Sequence, residues 1–332
     1  MFAITYSDNY LDQKKVISFQ DNFLNSSSVE LNTSGSTGNP KKLSLSTENI
    51  RASAHMTNIF FNFNSNTKAL LCMSIDTIAG KMMLARAIEG NYAIDIQTPS
   101  SRPLEHFETK IDFIAMVPVQ LNESLKFDFE KLKTIPTILV GGGPISEEIE
   151  NRLKELNITV YHSFGMTETV SHIAMRKVGK ETTPYYEALT GVTFKVNDGM
   201  LALSAEHLGI QNLATNDLIQ LDSPTRFRWL GRADFVVNSG GYKIQLEEIE
   251  KLLTSILPDS FFCWKEPSDK WGEILVLCVL DSDFSSNDFS SLDLPAWKIP
   301  KKTYVFSKFI HSESGKILRK PTFAQIPLTI HE

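Results

Sequence analysis

The stretch Thr33-Ser34-Gly35-Ser36-Thr37-Gly38-Asn39-Pro40-Lys41 puts four hydroxyls, two glycines and a lysine within nine residues. Glycines let a backbone turn tightly and bring its N–H groups close to a ligand. Hydroxyls and a lysine donate to phosphate oxygens. The pattern is not that of a nucleotide-hydrolase phosphate loop, which needs Gly, four residues, then Gly-Lys-Ser/Thr. Pro40 stands where the second glycine belongs. Read by itself, the stretch is either a phosphate loop of another kind or a polar surface loop.

Other stretches carry chemistry of the same kind. In Ser163-Phe164-Gly165-Met166-Thr167-Glu168-Thr169, Thr167 can donate to phosphate and Glu168 can hold magnesium. The alternative is a strand-to-helix turn capped by Thr and Glu. In Ala214-Thr215-Asn216-Asp217, the aspartate can accept from ribose hydroxyls or make an Asx turn. Gly231-Arg232-Ala233-Asp234 is followed by Asn238-Ser239-Gly240-Gly241-Tyr242 and by the acidic run Glu247-Glu248-Ile249-Glu250. Near the end comes Ser314-Gly315-Lys316-Ile317-Leu318-Arg319, whose lysine could equally be a solvated surface residue.

These residues need strands and helices to hold them. A helix is expected around Leu11 to Phe23, and Thr47 is placed to cap another running to about Phe60. Apolar strands are expected at 68–75, 91–97, 111–117, 135–140 and 158–164. Between them lie helices at 77–89 and after Ser146. This alternation predicts an α/β fold with a largely parallel sheet covered on both faces. Its ligands would gather beyond the carboxyl ends of the strands, where Gly141-Gly142-Gly143-Pro144 and Gly165 fall. After residue 184 short strands at 192–197, 200–204, 218–221 and 226–230 suggest a small antiparallel β-subdomain. A helix over 245–256 should bury Ile249, Leu252, Leu253 and Ile256.

At 332 residues the chain suggests two domains, split near residues 231–234. The net charge of −6 disfavours a nucleic-acid binder but permits a local basic pocket. Cys72, Cys263 and Cys278 form no pair motif and sit among apolar neighbours, as buried thiols of a reducing compartment do. No signal-peptide core opens the chain, and its longest clean apolar run, 274–280, is too short to span a membrane. A cytoplasmic location without membrane insertion is expected.

Taken together and in this order, the stretches resemble the signatures of the adenylate-forming superfamily of acyl- and aryl-CoA synthetases. Thr33 to Lys41 matches its Thr-Ser-Gly-Ser/Thr-Thr-Gly-x-Pro-Lys motif at every fixed position. Gly165-Met166-Thr167-Glu168, Gly141-Gly142-Gly143-Pro144, Gly231-Arg232-x-Asp234 with Ser239-Gly240-Gly241, and Gly315-Lys316-Ile317-x-Arg319 follow. Asn216-Asp217 departs from the family's Gly-Asp. The chain also has only 32 residues ahead of the phosphate loop, fewer than most members.

The resemblance implies a set of roles. Thr33, Ser34, Gly35, Ser36, Thr37, Gly38 and Lys41 would hold the ATP β- and γ-phosphates. Gly142, Gly143 and Pro144 would border the adenine, with Phe164 and Gly165 in the same nucleotide site. Thr167 would contact the α-phosphate and Glu168 the Mg2+ ion. Asp217 and Arg232 would bind ribose hydroxyls. Asp234 would be the hinge between a domain over 1–233, its N-terminal part reduced, and a small mobile α+β domain over 234–332. Lys316 would serve adenylation, and Ser239, Gly240 and Gly241 would line the CoA tunnel. Within the family the chain looks most similar to compact o-succinylbenzoate–CoA ligases of menaquinone biosynthesis. That implies an aromatic dicarboxylic acid, ATP and CoA as small-molecule partners. Ser171 and His172 are then candidate polar contacts and Val119 a candidate pocket wall, although His172 could equally be structural and Val119 core. Another aryl- or acyl-CoA ligase, an enzyme loading a carrier protein, and a non-catalytic nucleotide-binding module are the alternatives.

Overall fold

The structure is a computed structural model. It describes residues 1–33, 41–257, 260–281, 289, 294–311 and 317–331, side chains of 31–33 and 41–43 excepted. The chain opens with β1 (Ala3–Tyr6), α1 (Gln13–Asn25) and a hairpin of β2 (Ser28–Thr33) and β3 (Lys41–Ser46). Then come α2 (Thr47–Phe61), β4 (Lys68–Leu71), α3 (Ile78–Gly90), β5 (Ala93–Ile96), β6 (Phe113–Met116), α4 (Pro118–Phe127), α5 (Phe129–Leu132), β7 (Thr137–Val140), α6 (Glu147–Glu155) and β8 (Thr159–Gly165). β4 to β7 are short apolar runs that are almost wholly buried, as strands covered on both faces must be. They pair in parallel, in the order β1-β5-β4-β6-β7-β8.

The chain lays β5 on one side of β4 and β6 on the other. This reversal opens a crevice at the carboxyl ends of β4 and β6. Helix ends near it are tied down locally. Thr77 Oγ1 accepts from the Gly80 N–H at 3.1 Å at the start of α3. Ser146 Oγ accepts from the Ile149 N–H at 3.3 Å at the start of α6. At α2 the cap is Ser46, not Thr47: Ser46 Oγ accepts from the Asn49 N–H at 3.0 Å. Thr47 is free to donate instead to the Ser26 carbonyl at 2.7 Å.

β8 is where the parallel run ends. It pairs antiparallel with β9 (His172–Gly179), a strand that the sequence reading did not place. β10 (Tyr185–Ala188), β11 (Thr193–Asn197), β12 (Met200–Ala205), β13 (Ile210–Ser223) and β14 (Arg226–Arg232) carry on from it. These antiparallel strands extend the first sheet to twelve strands, ordered β9-β10-β14-β13-β12-β11 beyond β8.

A single 3₁₀ turn, Ala233–Phe235, leads to a second sheet. It contains β15 (Val236–Ser239), β16 (Tyr242–Gln245), β17 (Phe261–Ser268), β18 (Gly272–Leu280), β19 (Lys302–Phe306) and β20 (Thr329–His331), with α7 (Leu246–Leu253) packed on it. α8 (Arg319–Phe323) lies near its end. This sheet has a core of its own around Val237, Ile244, Ile249, Leu275 and Leu277. α7 is shorter than the spacing predicts. It buries Leu246, Ile249 and Leu253, whereas Leu252 and Ile256 are exposed.

Candidate nucleotide and acid site

A cleft of about 240 Å³ occupies the crevice beyond the strand ends. Met73 after β4, Ala115 to Val117 at the end of β6, Gly141 and Gly142 after β7, and Gly165 to Thr167 at the end of β8 line it. Ser171, His172 and the α3 side chains Ile78 and Arg86 complete it. A second hollow of about 230 Å³ beside Lys126–Lys131 is walled by one surface turn and gathers no converging groups.

Arg86 is the residue that sequence reading missed. It is 2% exposed, yet among the described residues no carboxylate pairs with it. Its Nη2 donates to Ser171 Oγ at 2.8 Å, and its buried Nε has no partner. Burial pulls its pKa down to about 10, so the guanidinium is still charged at neutral pH. A buried cation without a counter-ion is costly, by several kcal/mol for typical ions. A cleft floored by one is built to receive an anion.

The hydrogen bonds around it run in one direction. Thr57 Oγ1 donates to the Ser53 carbonyl at 3.2 Å, which leaves it to accept from His172 Nε2 at 2.9 Å. His172 Nδ1 then presents a lone pair to Ser171 Oγ at 3.5 Å. Burial, with the Arg86 charge beside it, holds the His172 pKa well below the ordinary imidazole value. His172 is thus a neutral relay of orientation and not a second cation.

The wall of β8 is shaped by a tight approach. A Cβ on Gly165 would sit 2.4 Å from the Ser171 carbonyl oxygen, so only glycine fits. Thr169 Oγ1 accepts from the Met166 N–H at 2.9 Å and holds the turn. Val170, at φ +66° and ψ −52°, is in a left-handed conformation, with the Ser171 N–H on the Thr169 carbonyl at 2.7 Å. This is a strained γ-turn on a β-branched residue. Opposite it, the buried amide of Gln120 ties strand ends together. Its Oε1 accepts from the Val117 N–H at 3.1 Å, and its Nε2 donates to the Cys72 and Ser100 carbonyls at 3.0 and 2.8 Å.

Of the residues expected from sequence, Gly142, Gly165, Thr167, Ser171 and His172 meet in this cleft. Glu168 is exposed just beyond it. Gly143 and Pro144 adjoin Gly142 but do not line it, and the Gly143 carbonyl turns inward onto His162 at 3.0 Å. The Phe164 ring packs on Tyr186 and Phe227, with centroids 5.6 and 5.1 Å away. Val119 is 56% exposed and outside the lining, because it rides the solvent side of α4.

Asp217 and Arg232 face each other in the β13–β14 register. Asp217 accepts from Trp229 Nε1 at 2.9 Å, while Arg232 is held in a fork by Asp234 at 2.9 and 3.1 Å. Ser239, Gly240 and Gly241 form the β15–β16 turn, where both glycines have positive φ and the Gly240 N–H bonds the Trp271 carbonyl at 2.8 Å. Thr33 and Lys41 stand opposite each other where β2 meets β3. Ser34, Gly35, Ser36, Thr37, Gly38 and Lys316 lie outside the described residues. Among the described residues no three His, Cys, Asp or Glu side chains converge as a metal site, and no helix is long and apolar enough to cross a membrane.

Comparison with known proteins identifies the family. Residues 29–201, just over half of the chain, match the family model described as AMP-binding enzyme. A 2-succinylbenzoate–CoA ligase of Listeria monocytogenes is 26% identical over 325 residues, spanning 86% of this chain and 68% of that one. A crystal structure of an acyl-CoA synthetase (AMP-forming)/AMP-acid ligase II-like protein from Dyadobacter fermentans is 32% identical, with a TM-score of 0.63 and 93% of each chain covered. The o-succinylbenzoate CoA synthetase of Bacillus subtilis, in complex with the acyl-adenylate OSB-AMP, shares the fold. Its TM-score is 0.77 at 22% identity, over 90% of this chain and 69% of that one. By the family model and the Dyadobacter relative alike, this chain belongs to the AMP-binding enzymes.

Proposed function

We propose that this protein activates o-succinylbenzoate with ATP and passes the acyl group to CoA. The observation that carries the reading is Arg86, a guanidinium with an unpartnered buried Nε–H, which lines a cleft bounded by the Gly165 to Thr167 turn. An acid with two carboxylates can leave one on Arg86 while the other meets ATP. The relatives support this choice: the Listeria enzyme is named for 2-succinylbenzoate, and the Bacillus subtilis synthetase holds OSB-AMP.

The substrate carboxylate attacks the α-phosphorus, and pyrophosphate leaves. The CoA thiol, as it loses its proton, then attacks the acyl carbon and AMP leaves. The loop Thr33 to Lys41 would hold the β- and γ-phosphates, and Thr167 the α-phosphate. Asp217 and Arg232, neighbours across one ladder, would take the ribose hydroxyls. Glu168 is exposed beside the cleft and fits a magnesium ion, which takes one carboxylate together with phosphate oxygens. That ion would neutralise phosphate charge. Lys316 would stabilise the charge built during adenylation. The two reactions use different nucleophiles, and a hinge at Asp234 between units 1–233 and 234–332 would supply two geometries. Three buried free thiols suit a reducing compartment, and we place the enzyme in the cytoplasm.

The test is pyrophosphate release across a panel of acids, with and without CoA. The expected result is o-succinylbenzoyl-CoA, AMP and pyrophosphate from o-succinylbenzoate. Absence of that thioester sinks the assignment, and transfer to a carrier protein but not to free CoA replaces it. Lys316→Ala should cripple adenylation and spare thioester formation from supplied adenylate.

A further inference from the structure

Behind the three glycines that follow β7 lies a buried polar chain that the proposed chemistry does not use. His162 is 8% exposed and Tyr186 6%. His162 Nε2 lies 3.0 Å from the Gly143 carbonyl, and its Nδ1 lies 2.9 Å from Tyr186 Oη and 3.4 Å from Arg176 Nε. Arg176 Nη2 in turn donates to Glu150 Oε1 of α6 at 2.6 Å. The chemistry of the partners assigns the protons. A carbonyl only accepts, so Nε2 carries the hydrogen and Nδ1 the lone pair. The Tyr186 O–H and the Arg176 Nε–H then both donate to Nδ1. The imidazole is neutral and fixed in one tautomer from both sides.

What it holds is the most pliable backbone at the site. Gly141, Gly142 and Gly143 carry no side chains to pack, and Gly142 has φ +83°. Gly141 and Gly142 line the cleft, and Gly143 is the next residue along. Pro144 follows without an N–H, so the Gly143 carbonyl is the polar group of that peptide that His162 can grip.

We propose that His162 is a positioning residue for ATP, pinning the Gly143 carbonyl inward so that Gly141 and Gly142 present a fixed edge to the nucleotide. Glu150, Arg176 and Tyr186 hold the imidazole, and the imidazole holds the glycines. This rests on the proposed function and on the family resemblance, which implies that this segment borders the adenine. A histidine that merely filled core space would be replaced without loss by phenylalanine.

The experiment is calorimetric titration of Mg-ATP into the full-length protein, with KM and kcat for pyrophosphate release beside it. His162→Gln keeps an N–H near Nε2 and should bind ATP within about threefold of wild type. His162→Phe and His162→Asn lose that donor, and each should weaken ATP about tenfold, in KM more than in kcat, as expected for one lost buried hydrogen bond. A folded His162→Phe protein with wild-type ATP affinity overturns the proposal. If that variant does not fold, Tyr186→Phe decides. It removes one donor to Nδ1 and keeps the ring, so ATP should weaken about threefold, and unchanged affinity overturns the proposal. Wild-type protein that binds ATP but forms no thioester overturns the proposed function and leaves these ratios standing. Wild-type protein without ATP affinity overturns both.

Discussion

Arg86 reaches Ser171 at 2.8 Å from the far side of the cleft, α3 to the start of β9, and no carboxylate among the described residues answers its charge. Such a residue weakens the fold unless a ligand uses it. Arg86→Met should therefore split function from stability. The acid KM is expected to rise about a hundredfold, as for a lost charge-assisted contact, with ATP affinity little changed. Thermal unfolding should move upward or stay level. Arg86→Lys keeps charge but not the fork, and should sit between, with KM up about tenfold. Normal acid KM with a falling melting temperature would make Arg86 structural.

Gly165 and Gly143 separate crowding from pliability. A Cβ at Gly165 meets the Ser171 carbonyl at 2.4 Å and His172 Cα at 2.5 Å, both backbone atoms that cannot move aside cheaply. Gly165→Ala should lose about 2 kcal/mol of stability and most turnover. A Cβ at Gly143 meets only Pro118 Cγ at 3.6 Å and Cδ at 3.9 Å. Gly143→Ala should melt close to wild type. Denaturant titration of the two variants measures the contrast, and equal losses would refute it.

The motif residues were legible because their spacing is dictated by backbone geometry. Gly165, Thr167 and Ser171 come together at one strand end, where a chain search by pattern can find them. Arg86 was not legible in that way. It sits in α3 among Met82, Met83, Leu84, Ala85 and Ala87, and reads as one polar residue in an apolar helix. The signal was its setting: the helix is buried on every side from Met82 to Ala87, where a charge requires a partner. β9 was missed for a related reason. Arg176 and Lys177 break its apolar run, and only tertiary pairing with β8 makes it a strand. The register that sets Asp217 opposite Arg232 depends on a bulged ladder, which no local pattern encodes.

Acid should unfold the protein through its buried histidines. Burial, and the charge of Arg176 beside it, lower the His162 pKa from the ordinary value to about 4, and His172 is lowered well below 6.5 by burial and Arg86. The unfolded chain binds these protons first, so stability is full above about pH 6.5 and falls as pH drops towards 4. For His162 that window is worth about 3 kcal/mol. His162→Gln carries no titrating group there. The difference between its stability curve and that of wild type should slope between pH 6.5 and 4 and be flat above 7. A flat difference throughout would mean that His162 is not held neutral.

Glu250 and Arg319 join α7 to the start of α8. Arg319 Nη2 lies 2.8 Å from Glu250 Oε2, both side chains are less than a fifth exposed, and Glu250 Oε1 accepts from the Cys263 N–H at 2.7 Å. The guanidinium also rests 4.3 Å above the Phe235 ring, next to Asp234. Ile317, two residues before Arg319, bridges His311. The pair thus anchors the backbone that follows Lys316 to the backbone that follows the proposed hinge. Glu250→Ala strands a buried cation and should destabilise the protein by about 3 kcal/mol. Replacing both partners with apolar residues, Glu250→Leu with Arg319→Met, should recover most of that stability, because no charge is left unpaired. It should not recover adenylation, since the anchor is still gone. Adenylation restored together with stability would show that the pair serves the fold alone, and adenylation lost while thioester formation from supplied adenylate persists would tie the anchor to Lys316.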